Sequence, residues 1–94
     1  MDEVYVFTAE QAYDGDFADI IVRVFSSSVV AERFMRWFIR EDGDMTIEKY
    51  AAKNCWDVEV DDSRLYRAIG PLGYEVDHVE CTITSCKIEN EKSF

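Results

Sequence analysis

Val4-Tyr5-Val6-Phe7-Thr8 is built of β-branched and aromatic residues, a composition that predicts a first strand. Tyr13-Asp14-Gly15-Asp16 is a turn signal, and Asp19–Phe25, with Ile20, Ile21, Val22, Val24 and Phe25, predicts a second strand. The two should form a loosely connected antiparallel hairpin. The period then changes. Behind Ser26-Ser27-Ser28, any of which can cap a helix, Val30, Phe34, Trp37 and Phe38 fall on one helical face. Glu41-Asp42-Gly43-Asp44 should stop that helix. Thr46 can cap a second one carrying Ile47, Tyr50 and Ala51, with Asn54 as a left-handed terminus.

Strict alternation returns in Trp56-Asp57-Val58-Glu59-Val60-Asp61. Trp56, Val58 and Val60 are expected toward the core, and Asp57, Glu59 and Asp61 toward solvent. Asp61-Asp62-Ser63 turns, Leu65–Ile69 suggests a fourth strand, and Gly70-Pro71-Leu72-Gly73 turns again. A last strand should run from Asp77 to Ile88 with Val79, Cys81 and Ile83 on one face. Cys86 and Ile88 break its phase, which suggests a bulge near Ser85. Residues 89–94 read as a frayed tail.

The order is β-β-α-α-β-β-β. It predicts an α+β fold: an antiparallel sheet of four to five strands with one or two helices packed on one face. The other face is left to water or a partner. At 94 residues the chain, 1–94, is expected to be a single domain.

Charge is unevenly spread over these elements. The formal net charge is −10, from 20 acids and 10 bases. Residues 28–55 carry five acids and five bases, so the remainder carries the whole imbalance. A neutral helical layer backing an acidic sheet follows. Such charge repels nucleic acid and anionic membranes and favours a basic partner. No apolar run approaches the ~20 residues of a membrane span. Arg33, Arg36 and Arg40 form a short basic stripe, read as a solvated helix face paired with nearby acids.

Little here points to catalysis, and no catalytic residue, metal ligand set or cofactor is expected. His78, the single histidine, sits at a strand start and reads as a surface or turn residue. Cys55, Cys81 and Cys86 read as free thiols in a reducing cytoplasm, with Cys81 buried. The strings Asp14-Gly15-Asp16 and Glu41-Asp42-Gly43-Asp44 lack the calcium-loop pattern and read as turns.

The acids themselves are the candidate site. On a regular strand Asp57, Glu59 and Asp61 would stand ~6–7 Å apart on one face. That spacing could imitate a track of phosphates for a basic groove. Asp62 extends the row, and Glu80 joins it if the last strand lies beside the third. Tyr5, Phe7 or Tyr74 would add anchoring area, because interface cores favour aromatic rings. Tyr5 and Phe7 share a parity opposite to Val4 and Val6, and the sequence leaves open which pair faces the helices.

Val4-Tyr5-Val6-Phe7-Thr8-Ala9-Glu10-Gln11-Ala12-Tyr13-Asp14, followed by Val24-Phe25-Ser26-Ser27 and a helix, resembles a group of small proteins from phages and mobile elements of gut bacteria. Their terminal strand is similar to His78-Val79-Glu80-Cys81-Thr82-Ile83. In size and charge the chain is also similar to anti-CRISPR proteins. The first resemblance carries no established activity; the second implies a non-enzymatic inhibitor of a defence effector, acting in the cytoplasm of a bacterial host. The expected partner is a basic nucleic-acid-binding protein such as a Cas effector, with no direct contact to nucleic acid or membrane. The alternative is a homo-oligomeric accessory protein of a mobile element with no mimicry, whose charge serves solubility only and which could pair as a homodimer across a two-fold axis through an exposed edge such as that of strand one or four.

Overall fold

The structure, a computed structural model, describes residues 3–13, 18–41 and 46–88. It is an α+β fold. The strands are β1 (Glu3–Ala12), β2 (Asp19–Phe25), β3 (Asp57–Asp61), β4 (Leu65–Ile69) and β5 (His78–Lys87). They form one antiparallel sheet in the order β2-β1-β5-β4-β3. Two helices, α1 (Ser28–Arg36) and α2 (Ile47–Lys53), cover one face. Strands one and four are therefore interior, and the sheet edges are β2 and β3. The turn read at Asp14–Asp16, most of the Glu41–Asp44 helix stop and the 89–94 tail lie outside the described residues.

Each helix begins at a hydroxyl cap. The Ser27 side chain accepts from the Val30 N–H at 3.4 Å, and that of Thr46 from the Lys49 N–H at 3.2 Å. Helix α1 does not stop cleanly but widens into a π-helical turn, Trp37–Glu41. Both Phe38 and Ile39 thereby face the sheet, Ile39 fully buried and Phe38 against Phe7. Helix α2 ends in a Schellman motif, with Trp56 N–H donating to the Ala51 carbonyl and Cys55 N–H to that of Ala52. The left-handed residue is Cys55, at φ 58°, and not Asn54, which has φ −101°. Asn54 instead donates its side-chain amide to the Tyr50 carbonyl at 2.9 Å.

The core lies between sheet and helices. Phe7, Ala9, Tyr66, Ala68, Val79 and Cys81 come from the sheet, and Ala31, Met35, Ile39 and Ala51 from the helical layer. Phe7 is completely buried, with the rings of Phe34 and Phe38 edge-on at 5.1 and 5.3 Å. Burying an aromatic side chain of this size is worth about 1.5–3 kcal/mol. The parity left open by the sequence is thus settled, with Tyr5 and Phe7 toward the helices and Val4 and Val6 on the uncovered face. Tyr13, Tyr50 and Trp56 form a second aromatic group where the sheet meets α2.

Two local expectations fail for reasons of pairing. β5 pairs with β1 without interruption from Glu3↔Lys87 to Ala12↔His78, so it has no bulge near Ser85. Its phase fades because β4 reaches only as far as Thr82 and leaves residues 84–87 exposed. The irregularity lies in β3, where the register shifts between Val58 and Val60.

Candidate interaction surface

The shift in β3 decides where the predicted acids point. Asp57 pairs with Ile69 and Val58 with Ala68, but Val60 pairs with Arg67 and Asp61 with Tyr66. Glu59 is the extra residue, and the alternation reverses beyond it. Asp61 consequently lies on the helix side, opposite buried Tyr66, where the Arg40 guanidinium holds both its oxygens. Asp57 lies on the uncovered face. Asp57, Glu59 and Asp61 therefore form no single row. Val58, expected in the core, is exposed at the sheet edge, and Val60 has turned to the uncovered face.

A different acidic group forms there. Glu10 on β1 stands directly opposite Glu80 on β5, and Glu80 stands opposite Arg67 on β4. Arg67 is the hub. Its Nε lies 3.0 Å from Glu59 Oε1, and its Nη1 lies 3.8 Å from Glu80 Oε2. Glu10, Asp57, Glu59 and Glu80 thus set four carboxylates against the one guanidinium of Arg67. Glu80 reaches the β3 acids through Arg67, since β5 pairs with β1 and β4 and not with β3. Asp62 is exposed beyond β3 and makes no ion pair among the described residues.

The loop after β4 folds over this group. Gly70 N–H donates to the Asp77 carbonyl at 2.8 Å, and Gly73, at φ 96°, makes the left-handed bend. Tyr74 is thereby laid on His78, with ring centroids 3.9 Å apart. The Tyr74 hydroxyl donates to Glu10 Oε2 at 2.6 Å, and the Arg67 guanidinium sits 4.6 Å from the Tyr74 ring centre. That hydrogen bond, with burial as the second cause, pushes the Tyr74 phenol up to about 12. His78 is 5% exposed, not a surface residue. Its Nε2 lies 3.4 Å from Glu10 Oε2 without hydrogen-bond alignment, and its Nδ1 has no hydrogen-bond partner among the described residues.

The predicted aromatic anchors are placed differently from expectation. Phe7 is core and offers no surface. Tyr5 packs against the core, with its hydroxyl donating to Glu3 at 3.3 Å and Arg64 5.7 Å from its ring centre. Tyr74 is half-buried and serves as a cover for His78. Exposed apolar area comes instead from Ile20, Val22 and Val24 on the uncovered face of β2, and from Leu72 in the loop. Period-2 alternation in β2 was masked by Ile21 and Phe25, which are apolar on the helix side as well.

Burial pushes the Cys81 thiol up to about 12, so it is not a nucleophile near neutral pH. Cys55 and Cys86 are exposed free thiols. Among the described residues no group of three or more His, Cys, Asp or Glu is arranged to hold a metal ion. Among them, too, no helix is long and apolar enough to cross a membrane. Compared with family models, curated proteins and solved structures, the chain matches none.

Proposed function

We infer that this protein acts by binding a basic protein through the acidic margin of its uncovered sheet face, without catalysis. The observation that carries the reading is the direct opposition of Glu10 and Glu80 across β1 and β5. Like charges facing one another across a strand pair destabilise a sheet. Here one guanidinium is shared among Glu59, Glu80 and the Tyr74 ring, which leaves excess negative charge on an ordered surface. A partner presenting Lys or Arg would relieve it. Asp57 and Asp62 extend the margin along β3 and its turn.

The finer reading is an inhibitor of the anti-CRISPR kind, held in the nucleic-acid groove of a defence effector in a bacterial cytoplasm. The net charge of −10 and the similarity in size and charge to such proteins support it. Charge steering predicts fast association that weakens as salt rises.

The test is capture from bacterial lysate on the immobilised protein, with salt elution, beside the triple variant Asp57→Asn/Glu59→Gln/Glu80→Gln. The reading expects a nucleic-acid-binding protein that the variant does not retain and that loses its nucleic acid when the wild-type protein is added. Equal retention by both proteins, or a captured protein still holding its nucleic acid, contradicts it.

A further inference from the structure

Nine large apolar side chains are exposed among the described residues, and six of them lie on β2, α1 and the π-helical turn that follows it: Ile20, Val22, Val24, Val29, Val30 and Trp37. Ile20, Val22 and Val24 are 66, 50 and 60% exposed along the uncovered face of β2. On the helix side of the same edge the apolar surface continues, from Phe25 to Phe34 at 5.2 Å and on to Trp37 at 5.6 Å. Exposed apolar side chains thus line the uncovered face of β2, while on its helix side β2 itself exposes Asp19 and Arg23 and the apolar exposure comes from Trp37 beyond half-buried Phe25 and Phe34.

The two sheet edges are built oppositely. β3 is short, carries a bulge, and presents Asp57, Glu59 and Asp61 with no base of its own. Those are the devices by which an edge strand refuses another strand. β2 has none of them. Its seven residues pair with β1 in unbroken register, with no proline and no bulge. Its only charges are Asp19 and Arg23, which sum to zero in a chain of net charge −10. Arg23 Nη1 donates to the Val22 carbonyl at 2.9 Å, a side-chain cover of the kind an edge carbonyl takes when no strand lies beside it.

We propose that β2 pairs antiparallel with β2 of a second copy of this chain, about a two-fold axis at Val22, to give a continuous ten-stranded sheet. Centring the axis there sets Val22 against the partner's Val22, Ile20 against Val24, and Asp19 against Phe25. The whole strand is paired and every exposed apolar side chain on that face meets another. Arg23 stands opposite Ile21, with the partner's Asp19 and the partner's Arg23 as its two diagonal neighbours ~7–8 Å away. The edge is therefore self-complementary in shape and neutral in charge. A bare seven-residue edge falls short of the ~800 Å² that each partner buries in a stable complex. Trp37, joined to β2 through Phe34 and Phe25, enlarges it on the helix side. A second copy is the occupant because β2 is neutral where the rest of the sheet repels its own kind, and because an isologous contact needs one self-complementary patch. The β3 ends of the two acidic margins would then lie at the far ends of the joined sheet, about 43 Å apart at ~4.8 Å per strand, while Glu10 on β1 stays one strand from the seam.

The test is sedimentation equilibrium of the wild-type chain, of Val22→Lys and of Val58→Lys, with far-ultraviolet circular dichroism to confirm the fold. The chain mass is 10.9 kDa, and the wild type and Val58→Lys are expected at twice that. Val22→Lys, which sets two ammonium groups together on the axis, is expected as a folded monomer. Raising salt should strengthen the dimer by screening its like net charges, the opposite of its effect on a basic partner. In a Cys55→Ser/Cys86→Ser background, Val22→Cys should cross-link to a dimer with a short bis-maleimide. A monomeric wild type, a Val22→Lys protein that stays dimeric, or a Val22→Cys protein that does not cross-link overturns the proposal.

Discussion

Glu10 and Glu80 stand directly across from one another on β1 and β5, two carboxylates in adjacent positions of one sheet face. Opposed like charges cost a sheet about 0.2–1 kcal/mol. Glu80→Gln should therefore leave stability unchanged or raise it by up to about 1 kcal/mol. Because Glu80 belongs to the proposed contact, the same substitution should weaken binding to the basic partner. Urea denaturation checks the first part and titration with the captured protein the second. A less stable protein with unaltered binding would show that Glu80 serves the fold.

Tyr74 is the cover of that face. Tyr74→Phe removes the hydroxyl that donates to Glu10 and should cost about 0.5–1.5 kcal/mol. Tyr74→Ala also uncovers His78 and removes the Arg67 contact, so it should cost more, about 2–4 kcal/mol. Denaturant midpoints order the two. Equal effects would mean that the stacked ring contributes nothing beyond its hydroxyl.

Cys55 occupies the left-handed position that closes α2, at φ 58°. A side chain with a Cβ is strained there by about 1 kcal/mol relative to glycine. Cys55→Gly should stabilise the protein by up to about 1 kcal/mol, read as a rise in Tm. It also removes one exposed thiol. With Ellman's reagent the wild type should release two thiols quickly, Cys55 and Cys86, and the third only on unfolding, because Cys81 is buried. Three fast thiols would place Cys81 outside the core.

The fold should fail in alkali. Burial pushes Cys81 from 9.0, and Tyr13 and Tyr66 from 10.0, up to about 12. The hydrogen bond to Glu10 does the same for Tyr74. In each case the folded protein favours the neutral form. The associated stability is complete below the unfolded pKa, near pH 9 for the thiol and 10 for the phenols. It is lost as pH rises toward about 12. Tyrosinate absorbance should show Tyr13, Tyr66 and Tyr74 titrating late, together with a loss of ellipticity. Those three phenols titrating near pH 10 in a folded protein would contradict this assignment.

Much of the fold was legible because its signals are local. Runs of β-branched and aromatic residues, and the change to period 3.6 between them, placed the five strands and two helices but not the π-helical turn, and Ser27 and Thr46 cap helices as their hydroxyls allow. Features that depend on pairing were not legible. β3 alternates without a break in the sequence, yet its register against β4 inserts Glu59 and sends Asp57 and Asp61 to opposite faces. No reading of one strand alone can see that. Tyr5 and Phe7 had equal claim with Val4 and Val6 to the core until α1 supplied Phe34 and Phe38 to receive Phe7. His78 is buried because a loop four residues away lays Tyr74 upon it, a contact with no periodicity to announce it. Asp57, Glu59 and Glu80 were legible as candidate acids, but Glu10 was missed for a related reason: Glu10 and Glu80 are 70 positions apart and meet only through β1–β5 pairing.

The most direct test of the account is the salt dependence of affinity between this protein and its captured basic partner, for the wild type and for Asp57→Asn/Glu59→Gln/Glu80→Gln. The account predicts that neutralising these acids lowers affinity at least tenfold at low salt and flattens the fall of log affinity with log salt, with the fold unchanged. Equal affinities and equal slopes would contradict it, and would move the binding surface away from the acidic margin.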